Sequence, residues 1–350
     1  MNRRPGEKLT VYEIAKLAGA SKSTVSRVLM NAYGVSPKTR ERIQKIMAEY
    51  GYRPSRLAQG LAGGRSGLVA VVMPGMFSGY YAEVLKGIDV FTHRRGVRLI
   101  TSIAHGTDDY YSMIEEYAQP GRVDGVILVA PSMDIFKRLT PPGSVPSVIV
   151  SAMPLRNGKG WTRMDSVTVD NAQAMETVVN HLVEHGRRRI VHLAGSAGSF
   201  DARERRRTFQ QYFRRRRGVA GTIIPAGLTS DQAVRKLTAR LKASTRSVDA
   251  VVAFNDDMAI GVVKVLRAGG VRVPDDIAVV GCDDEHASEI LGLTTLHMPM
   301  VELGEEAARL LFERIDRGTE KTPVRRSVLE MVLVVRQTSA RPKPTPRHSS

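Results

Sequence analysis

The hydrophobic positions of the first fifty residues follow the spacing of short helices. Val11, Ile14 and Ala18 recur at i, i+3 and i+7, which places them on one face of a helix that Thr10 can cap. Gly19 follows this face and can take the left-handed conformation that ends a helix at a sharp turn. The pattern therefore predicts a first helix and a tight turn between Thr10 and Gly19.

A second predicted helix begins after Ser21, a candidate N-cap, and is apolar on one side only. Val25 and Val28 lie on that side of a helical wheel. Four polar residues lie on the other side: Lys22, Ser23, Ser26 and Arg27. A helix with this outer face suits a DNA major groove, although any small amphipathic hairpin shares the same spacing.

A third helix is predicted to start at Ser36 and Pro37, which provide a cap and a first-turn residue, and to end at Gly51. Its expected inner face consists of four residues: Ile43, Ile46, Met47 and Tyr50. Three helices in so short a stretch are typical of a minimal helix-turn-helix domain.

From Gly67 onward, apolar runs of strand length alternate with helical patterns. Several runs are apolar at consecutive positions, as expected for strands that are covered on both faces. The alternation predicts an α/β core that is large enough for two doubly wound parallel-sheet subdomains. The runs are Leu68–Met73, Val97–Ile103, Val126–Ala130, Val148–Val150, Ile190–Ala194, Val248–Phe254, Ile277–Cys282 and Val328–Val335. The helix candidates lie near 80–95, 108–119, 171–186, 202–217, 230–243, 256–269 and 301–317.

The net charge of +17 predicts an anionic partner, and its distribution indicates where that partner binds. Residues 1–65 hold 13 Lys and Arg against 4 Asp and Glu, whereas residues 336–350 hold 4 basic residues and no acid. More than half of the excess charge therefore lies in the helical first fifth of the chain. This distribution is typical of a basic nucleic-acid-binding module attached to a nearly balanced body.

Few features favour catalysis, a metal site or a membrane. The single cysteine, Cys282, excludes an intramolecular disulfide and a multi-cysteine metal site. Together with His286 it raises an enzyme hypothesis, but a thiol at the end of an apolar strand is expected to be buried and structural. The sequence has no glycine fingerprint, Walker motif or nucleophile elbow. Without a signal peptide or an apolar span, we expect a cytoplasmic protein with no cofactor.

Taken together, the motifs and their order closely resemble the lactose-repressor (LacI/GalR-type) family of bacterial transcription regulators. The resemblance extends from about Leu9 to Gln337. Its most specific part lies in the first fifth of the chain and reads IAKLAGASKSTVSRVLMN, VSPKTRERI and YRPSRLAQGLAGG. Shorter matches follow in the family's order: VDGVIL (123–128), SVTVDN (166–171), HGRRRIVHLAG (185–195), ARERRRTF (202–209), FNDDMAIG (254–261), VRVPDDIAVVGCDD (271–284) and LTTL (293–296).

The resemblance implies a helix-turn-helix headpiece, a hinge helix, and a core of two subdomains like a periplasmic sugar-binding protein. The expected bounds are 1–52 for the headpiece, 53–65 for the hinge, 66–337 for the core and 338–350 for a disordered tail. One subdomain takes about 66–166 and 298–326, and the other about 169–295 and 328–337. The chain is expected to cross between them near 166–170, 295–299 and 325–330.

Matching the family motif residue by residue implies that Lys22, Ser23 and Arg27 read base edges. Arg and Lys favour guanine, whereas Ser discriminates less, and the alternative is a solvated polar face. Five further residues are placed for phosphate contacts or helix caps: Thr10, Tyr12, Ser21, Thr24 and Ser26. Two headpieces on palindromic double-stranded DNA double the readout, so a homodimer is implied.

In the hinge, Leu61 matches the family leucine that wedges into the minor groove, where an apolar side chain can unstack a base step. The same leucine could pair two hinge helices, and the whole segment could be a flexible linker. Gly60 departs from the family pattern and costs a helix about 1 kcal/mol relative to alanine.

Polar residues follow several predicted strands, at the sheet edge where doubly wound folds bind ligands. The resemblance implies that a matching Arg and Asp grip a polar, sugar-like effector there. The candidate effector residues are Tyr80, Tyr81, Asp170, Asp201, Arg205, Phe254, Asn255, Asp256 and Asp283, with Trp161 and Phe200 as weaker candidates. Asp170 and Asp256 also stand before helices, so either carboxylate could instead be an N-cap.

Some positions depart from the family and allow an unusual ligand. The first-strand loop PGMFSGYY lacks the usual Asp and Asn-Pro pair, and Met298, Ser199 and Asp201 replace residues that are commonly polar or touch ligand. Residues 187–217 hold 11 Arg and 2 acids. Such a run is usually a solvated face, but it could also hold an anionic ligand or an acidic partner.

The sequence therefore predicts a dimeric, sequence-specific DNA-binding repressor that a small sugar-like effector controls. The alternative effector is a nucleobase or a phosphorylated metabolite that acts as a corepressor. A carrier-type binding protein would instead need a secretion signal and no headpiece, the reverse of this chain. A nonspecific architectural DNA protein would leave no discrete footprint on the DNA upstream of its own gene.

Overall fold

The computed structural model describes residues 9–29, 33–52, 65–75, 79–130, 132–135, 145–153, 164–227, 229–243, 248–318 and 323–340. Three predictions fall outside these residues: the hinge helix with Leu61, the weaker candidate Trp161, and the tail from 341 onward.

Three short helices form the headpiece: α1 Val11–Leu17, α2 Lys22–Leu29 and α3 Pro37–Glu49. Gly19 takes a φ of +56° between the first two helices, as the predicted turn requires. The apolar residues that the helical spacing selected close into one small core. Its buried members are Leu9, Ile14, Ala15, Ala18, Val25, Val28 and Ile43.

The predicted inner face of α3 is wrong at Tyr50, whose side chain is 46% exposed. The helix ends at Glu49 and Tyr50 is its C-cap, so the helical spacing no longer directs this side chain inward. Ile46 and Met47, one turn earlier, do pack against the headpiece core.

The core consists of strands and helices that alternate along the chain. The strands are β1 Leu68–Met73, β2 Arg98–Ile103, β3 Gly125–Val129, β4 Ser147–Val150, β5 Asp165–Val169, β6 Arg189–Ala194, β7 Ala220–Pro225, β8 Ala250–Ala253, β9 Ala278–Asp283, β10 Thr294–His297, β11 Arg326–Leu329 and β12 Val332–Val334. The helices are α4 Gly79–Arg94, α5 Thr107–Tyr117, α6 Asn171–Glu184, α7 Phe200–Arg214, α8 Ser230–Ala243, α9 Asp256–Ala268, α10 His286–Ile290 and α11 Met300–Arg317.

The described strands form two six-stranded sheets. The first has the order β11-β5-β4-β3-β1-β2, and all of its pairs are parallel. The second has the order β12-β10-β9-β8-β6-β7, and β12 runs antiparallel to β10 while the other pairs are parallel. Helices cover both faces of each sheet, so the prediction of a doubly wound α/β core is confirmed. The chain passes between the sheets between β5 and α6, between β10 and α11, and between β11 and β12.

The apolar run Val328–Val335 is two strands rather than the single strand that was predicted. β11 lies at an edge of the first sheet and β12 at an edge of the second, and Glu330 and Met331 separate them. A run of apolar residues does not reveal this break, because both halves have strand character.

The edge strand β7 lacks a strong sequence signal. β7 was missed because it begins with Ala-Gly and ends with Pro, residues that are depleted from strands and tolerated at a sheet edge.

The predicted start of the disordered tail at 338 is wrong. Thr338 and Ser339 are buried, and Thr338 Oγ1 accepts a hydrogen bond from Thr294 N at 2.8 Å while donating to Val279 O at 2.8 Å.

The helix α11 packs unusually close to α4. A Cβ atom on Gly304 would lie 2.1 Å from Val84 O, and one on Gly87 would lie 2.0 Å from Val301 O, so only glycine permits this crossing. Near its end, α11 buries the guanidinium of Arg314 against Asp165, with nitrogen–oxygen distances of 2.8 and 2.6 Å.

Candidate DNA-binding face and ligand cavity

Hydroxyl side chains fix where the first two helices begin. Thr10 Oγ1 accepts a hydrogen bond from Glu13 N at 3.4 Å, and Glu13 Oε2 accepts one from Thr10 N at 2.7 Å, which together form a capping box. Ser21 Oγ accepts a hydrogen bond from Thr24 N at 3.1 Å and starts α2. These two caps hold α1 and α2 in register across the turn at Gly19.

The outer face of α2 presents the side chains that the helical wheel placed there. Lys22, Ser23 and Arg27 are exposed, and Ser26 is half-buried. Lys22 Nζ donates a hydrogen bond to the hydroxyl of Tyr12 at 3.0 Å and lies 4.5 Å from the centre of its ring. This hydrogen bond lowers the pKa of the Tyr12 hydroxyl. The contact between Tyr12 and Lys22 therefore joins the exposed faces of α1 and α2.

The beginning of α2 carries more positive charge than helix stability favours. Its first turn contains no acidic residue, and Lys22 occupies the first position, where the helix dipole is already positive. Backbone N–H groups at such a helix start bind anions such as phosphate. The arrangement lowers helix stability somewhat. It also leaves a helix start suited to an anion next to Ser23 and Thr24, which fits a candidate DNA-binding face.

In the core, a cavity of about 240 Å³ lies where strands of both sheets end. Its walls come from the residues that directly follow β1, β3, β4, β6, β8 and β10, from the last residue of β9, and from the start of α4, α7 and α9. The lining residues are Pro74, Tyr80, Tyr81, Ala130, Ser132, Ser151, Ser196, Gly198, Ser199, Phe200, Asp201, Arg205, Phe254, Asn255, Asp257, Asp283 and Met298.

Three of the lining residues have a strained backbone. Ala130, Ser151 and Asp283 take φ values of +43°, +53° and +126°, in a region that residues other than glycine rarely adopt. Each such residue costs on the order of 1–3 kcal/mol, and such strain concentrates at ligand-binding sites. This strain makes the cavity a candidate ligand site independently of its side-chain chemistry.

Asn171 connects the two charged residues at the base of the cavity. Its Nδ2 donates to Asp201 Oδ1 at 2.7 Å, and its Oδ1 accepts from Arg205 Nε at 2.7 Å. Arg205 also donates through Nη1 to Phe254 O at 2.9 Å, and its guanidinium lies 5.2 Å from the centre of the Phe254 ring. All four groups are thus held in place before any ligand arrives.

The two buried carboxyl groups of the cavity are poorly solvated. Burial raises the pKa of Asp283 well above its ordinary value, and burial also raises the pKa of Asp201, against the opposing charge of Arg205. A ligand that donates hydrogen bonds would replace the water that these carboxyl groups have lost. Hydroxyl groups are suitable donors for this purpose.

Aromatic side chains form the apolar walls. The hydroxyl of Tyr80 bonds to Ser151 Oγ and its ring packs edge to face with Tyr81, 5.1 Å between centres. Burial raises the pKa of Tyr81 to about 12, so its hydroxyl stays protonated and available as a donor. Phe200 and Phe254 line the same space. A ligand with one apolar ring face and several hydroxyl groups fits this mixture.

Asp170 does not line the cavity. Its carboxylate accepts hydrogen bonds from Ala172 N at 3.1 Å and Gln173 N at 2.9 Å, so it is the N-cap of α6. This is the alternative role that its position before a helix had allowed.

Asp256 does not line the cavity either, and it is not a cap. It is buried, and its two oxygens accept from Thr295 Oγ1 at 2.6 Å, Ser288 Oγ at 2.6 Å and Glu285 N at 3.0 Å. It therefore ties the start of α9 to the strand β10 and to the beginning of α10. The cap of α9 is Asn255, which accepts from Met258 N at 3.0 Å and also lines the cavity.

The sequence reasoning missed four polar residues of the cavity. They are Ser132, Ser151, Ser196 and Asp257. Each stands within a few residues of a strand's carboxyl end, so the rule that selected Asp283 could have found them. Serine is so common in loops that the rule alone does not separate these serines from others.

A helix-turn-helix headpiece joined to a two-sheet core with a ligand-sized cavity is the architecture of a DNA-binding transcription regulator. Comparison with known proteins agrees. Residues 10–55 match the family model for bacterial regulatory proteins of the lacI family, and residues 179–339 match the model for a periplasmic binding protein-like domain.

The chain is 34% identical to the HTH-type transcriptional regulator CelR of Thermobifida fusca, over 96% of this chain and 98% of that protein. A solved structure described as the CelR–cellobiose complex is 31% identical, covers 95% of this chain and 100% of its own, and has a TM-score of 0.68. A lac repressor dimer bound to operator and the anti-inducer ONPF is 27% identical, covers 95% and 99%, and has a TM-score of 0.80.

The chain therefore belongs to the LacI family of DNA-binding transcriptional regulators. Its relatives are regulators rather than enzymes, in agreement with the sequence analysis. Within the described residues, no His, Cys, Asp and Glu cluster is suited to a metal ion. None of the described helices is long and apolar enough to span a membrane.

Proposed function

We propose that this regulator represses transcription as a homodimer on a palindromic operator, and that a neutral sugar in the core cavity controls its affinity for DNA. The observation that carries the proposal is the cavity itself. It joins a fixed guanidinium and two buried carboxyl groups, Arg205, Asp201 and Asp283, to aromatic walls between the two sheets.

The charges of the cavity favour a neutral ligand over an anionic one. Three carboxyl groups line it, those of Asp201, Asp257 and Asp283, against the single cation Arg205 among the described lining residues. Two donor groups of that guanidinium already bond to Asn171 and Phe254. The cavity therefore offers a phosphate group little further positive charge to bind, whereas sugar hydroxyls can donate hydrogen bonds to the carboxyl oxygens. The relative CelR, described in complex with cellobiose, supports a sugar.

On the headpiece, we assign base reading to Lys22, Ser23 and Arg27 because they are the exposed side chains of the second helix. Contacts to phosphate are assigned to the residues around the helix starts: Thr10, Tyr12, Ser21, Thr24 and Ser26. Leu61 keeps its proposed role as a minor-groove wedge. The lac repressor dimer, described as bound to operator, supports the dimeric arrangement.

The helix α11 provides a physical connection between ligand and DNA. Met298, two residues before it, lines the cavity. Near its other end, Arg65 donates to Ile315 O at 3.0 Å and to Asp316 at 3.1 Å, and Arg65 is the last residue of the proposed hinge segment 53–65. The helix spans 18 residues, or about 27 Å. A ligand that moves Met298 can therefore shift the anchor of the hinge.

The proposal is tested by ligand screening followed by DNA binding. The operator is first located by footprinting the DNA upstream of the protein's own gene. Neutral mono- and disaccharides, sugar phosphates and nucleobases are then compared by thermal shift. We expect a neutral sugar to stabilise the protein and to change operator affinity about 5–150-fold, the usual range of allosteric coupling. The Asp283→Asn variant should lose this response while its ligand-free DNA affinity stays unchanged.

Two outcomes would contradict the proposal. Stabilisation by a nucleobase or a phosphate ester, with none by any sugar, would favour the corepressor alternative. A sugar response that survives in Asp283→Asn would place the ligand outside the cavity.

A further inference from the structure

A second concavity, of about 580 Å³, lies between the helix α7 and the strand β7. We name it the α7–β7 groove. Phe209, Phe213 and Ile223 contribute apolar surface to it, and Arg206 and Arg214 lie at its rim. The Phe213 ring lies directly over Gly221, where a Cβ atom would come within 2.3 Å of it. The glycine therefore lets the aromatic ring sit flat against the strand.

The strand β7 leaves one edge of its sheet unpaired among the described residues. Ala220 N donates to Arg188 O at 2.7 Å and Ala226 N to Ala194 O at 2.8 Å, both toward β6. Since backbone groups alternate along a strand, those of Gly221 and Ile223 point to the free side. Pro225 would point the same way but has no N–H, so the free edge is short and ends there.

Between Val219 and Ile224, before Pro225 ends it, the free edge has neither a charged side chain nor a bulge to prevent strand addition. Sheet edges are commonly blocked by a charged side chain, a bulge or a covering segment. From 219 to 224 the chain reads VAGTII, with no charged residue, and its pairing with β6 is regular from Arg189–Ala220 to Ala194–Pro225. This edge can therefore accept another strand.

The surroundings of the groove are strongly basic. Within the described residues, six exposed arginines of this region form no ion pair. They are Arg203, Arg206, Arg214, Arg215, Arg216 and Arg217. The nearby Arg207 pairs with Glu204 at the start of the same helix. Such a concentration of unpaired charge beside an apolar groove complements an acidic partner.

We propose that the α7–β7 groove binds an extended acidic segment of a partner protein. The segment adds a strand about 4.8 Å beyond β7 and hydrogen-bonds to the backbone of Gly221 and Ile223. Its side chains on the α7 side pack against Phe213, and its acidic side chains reach Arg206 and Arg214. Such a surface would recruit a second protein to DNA-bound regulator without occupying the ligand cavity.

Other occupants fit the groove less well. A second copy of this chain would bring two arginine-rich rims together, which like charges oppose. The chain's own residues 336–350 hold 4 basic residues and no acid, so they lack the complementary charge. DNA would match the charge, but phosphate contacts use neither an apolar floor nor a free strand edge.

The test uses full-length protein and a short fluorescein-labelled peptide that alternates aspartate with valine, followed by fluorescence anisotropy. Three competitors resolve the chemistry: the same peptide with glycine in place of valine, the same peptide N-methylated on alternate amides, and DNA of unrelated sequence. We expect the glycine and N-methylated peptides to bind at least tenfold more weakly than the parent peptide.

Matched variants locate the site, because the basic headpiece also attracts acidic peptides. Arg206→Gln with Arg214→Gln removes two charges from the rim of the groove. Arg215→Gln with Arg217→Gln removes two charges from exposed positions outside its lining. We expect the first pair to weaken peptide binding at least tenfold and the second pair less than threefold, with thermal stability unchanged in both.

Equal losses in the two double variants would overturn the proposal, since they would indicate nonspecific attraction. Equal affinity for the valine and glycine peptides, or no effect of N-methylation, would also overturn it. Binding of unrelated DNA that depends on Arg206 and Arg214, without binding of the peptide, would assign the face to nucleic acid instead.

Discussion

The headpiece and the cavity differ in how their candidate recognition residues are held: those of the headpiece are exposed, whereas those of the cavity are largely buried. On the headpiece, Lys22, Ser23 and Arg27 stand exposed on one short helix, and a small apolar core behind them has no functional groups. In the cavity, Asp201 and Arg205 are buried and held by shared hydrogen bonds to Asn171. Strained backbone at Ser151 and Asp283 borders the same space.

This difference has an energetic meaning. Exposed side chains cost the fold little, so the headpiece can change its recognition residues without losing stability. Buried charges and strained backbone cost several kcal/mol in total and must be offset by the surrounding fold. We therefore expect mutations in the core to affect stability, and mutations of exposed headpiece residues that cap no helix, such as Arg27, to affect DNA binding alone.

The largest effect is expected at Asp165, which pairs with the buried Arg314. Asp165→Ala removes the carboxylate that faces this buried guanidinium and should destabilise the core by about 3–5 kcal/mol. The measurement is the urea midpoint of the core transition. Glu83→Ala, which breaks the exposed pair with Lys86, is the control and should leave the midpoint unchanged. If Asp165→Ala and Glu83→Ala lowered the urea midpoint equally, the buried ion pair would matter no more for stability than the exposed one, and the contrast would be refuted.

At the crossing of α4 and α11, Gly304→Ala should destabilise the protein by about 1–3 kcal/mol, because its Cβ atom would clash with Val84 O. If α11 connects ligand to hinge, the variant should also change how ligand affects operator affinity. Calorimetry and operator titration measure the two effects. Gly269→Ala, whose Cβ atom would meet neighbours at 3.4 Å, is the matched control.

On the headpiece, Arg27→Ala should weaken operator binding by about 1–3 kcal/mol and relax preference at one base pair, with the melting temperature unchanged. Lys45→Ala removes the same charge from an exposed position of α3 and is the control. Operator titration at fixed salt compares them. Intact specific binding in Arg27→Ala would remove this residue from the recognition face.

The smallest effect is expected at Asp283, where the substitution that should abolish the ligand response should also stabilise the ligand-free protein. Since burial raises the pKa of Asp283 in the folded state, the folded protein binds this proton more tightly than the unfolded chain. Ionisation of this carboxyl group therefore costs folding free energy, and Asp283→Asn, which removes the ionisable group, should stabilise the ligand-free protein by about 0.5–2 kcal/mol.

The sign of the pH dependence follows from the same shift. The extra stability of Asp283→Asn over the unmodified protein should be largest at pH values above the raised pKa that Asp283 has in the folded state. It should disappear as the pH falls toward about 3.9, the pKa of an aspartate in the unfolded chain. Thermal melts from about pH 8 to about pH 4 measure it. Asp257→Asn changes an exposed carboxylate of the same cavity and should show no such trend. A gain that is independent of pH would mean that the charge of Asp283 is not the cause.

The headpiece was predictable almost to the residue, because its helices depend on local signals. Thr10, Ser21 and Gly19 act within one turn of where they stand, and the period of the apolar residues selects the core. Tyr50 was wrongly predicted to be buried because it lies just after the last residue of α3, where the helical spacing of apolar residues no longer applies.

The cavity was predictable only in part. The rule that ligands bind beyond strand ends selected Arg205, Asn255 and Asp283 correctly as lining residues. It could not separate Asp256, which stands next to Asn255 but turns toward Ser288 and Thr295 from distant segments. Adjacent residues on a helix point in different directions, so contact with the cavity depends on packing rather than on sequence position.

The sequence by itself determined the headpiece, the alternation of strands and helices, the concentration of basic charge and the family. These features rest on the intrinsic preferences of residues and on spacings within one element. The tertiary structure alone decided that Asn171 joins Asp201 to Arg205, that Val328–Val335 divides between two sheets, and that β7 leaves a free edge beside α7. Each depends on segments far apart in the chain, and their relative placement results from packing the whole core.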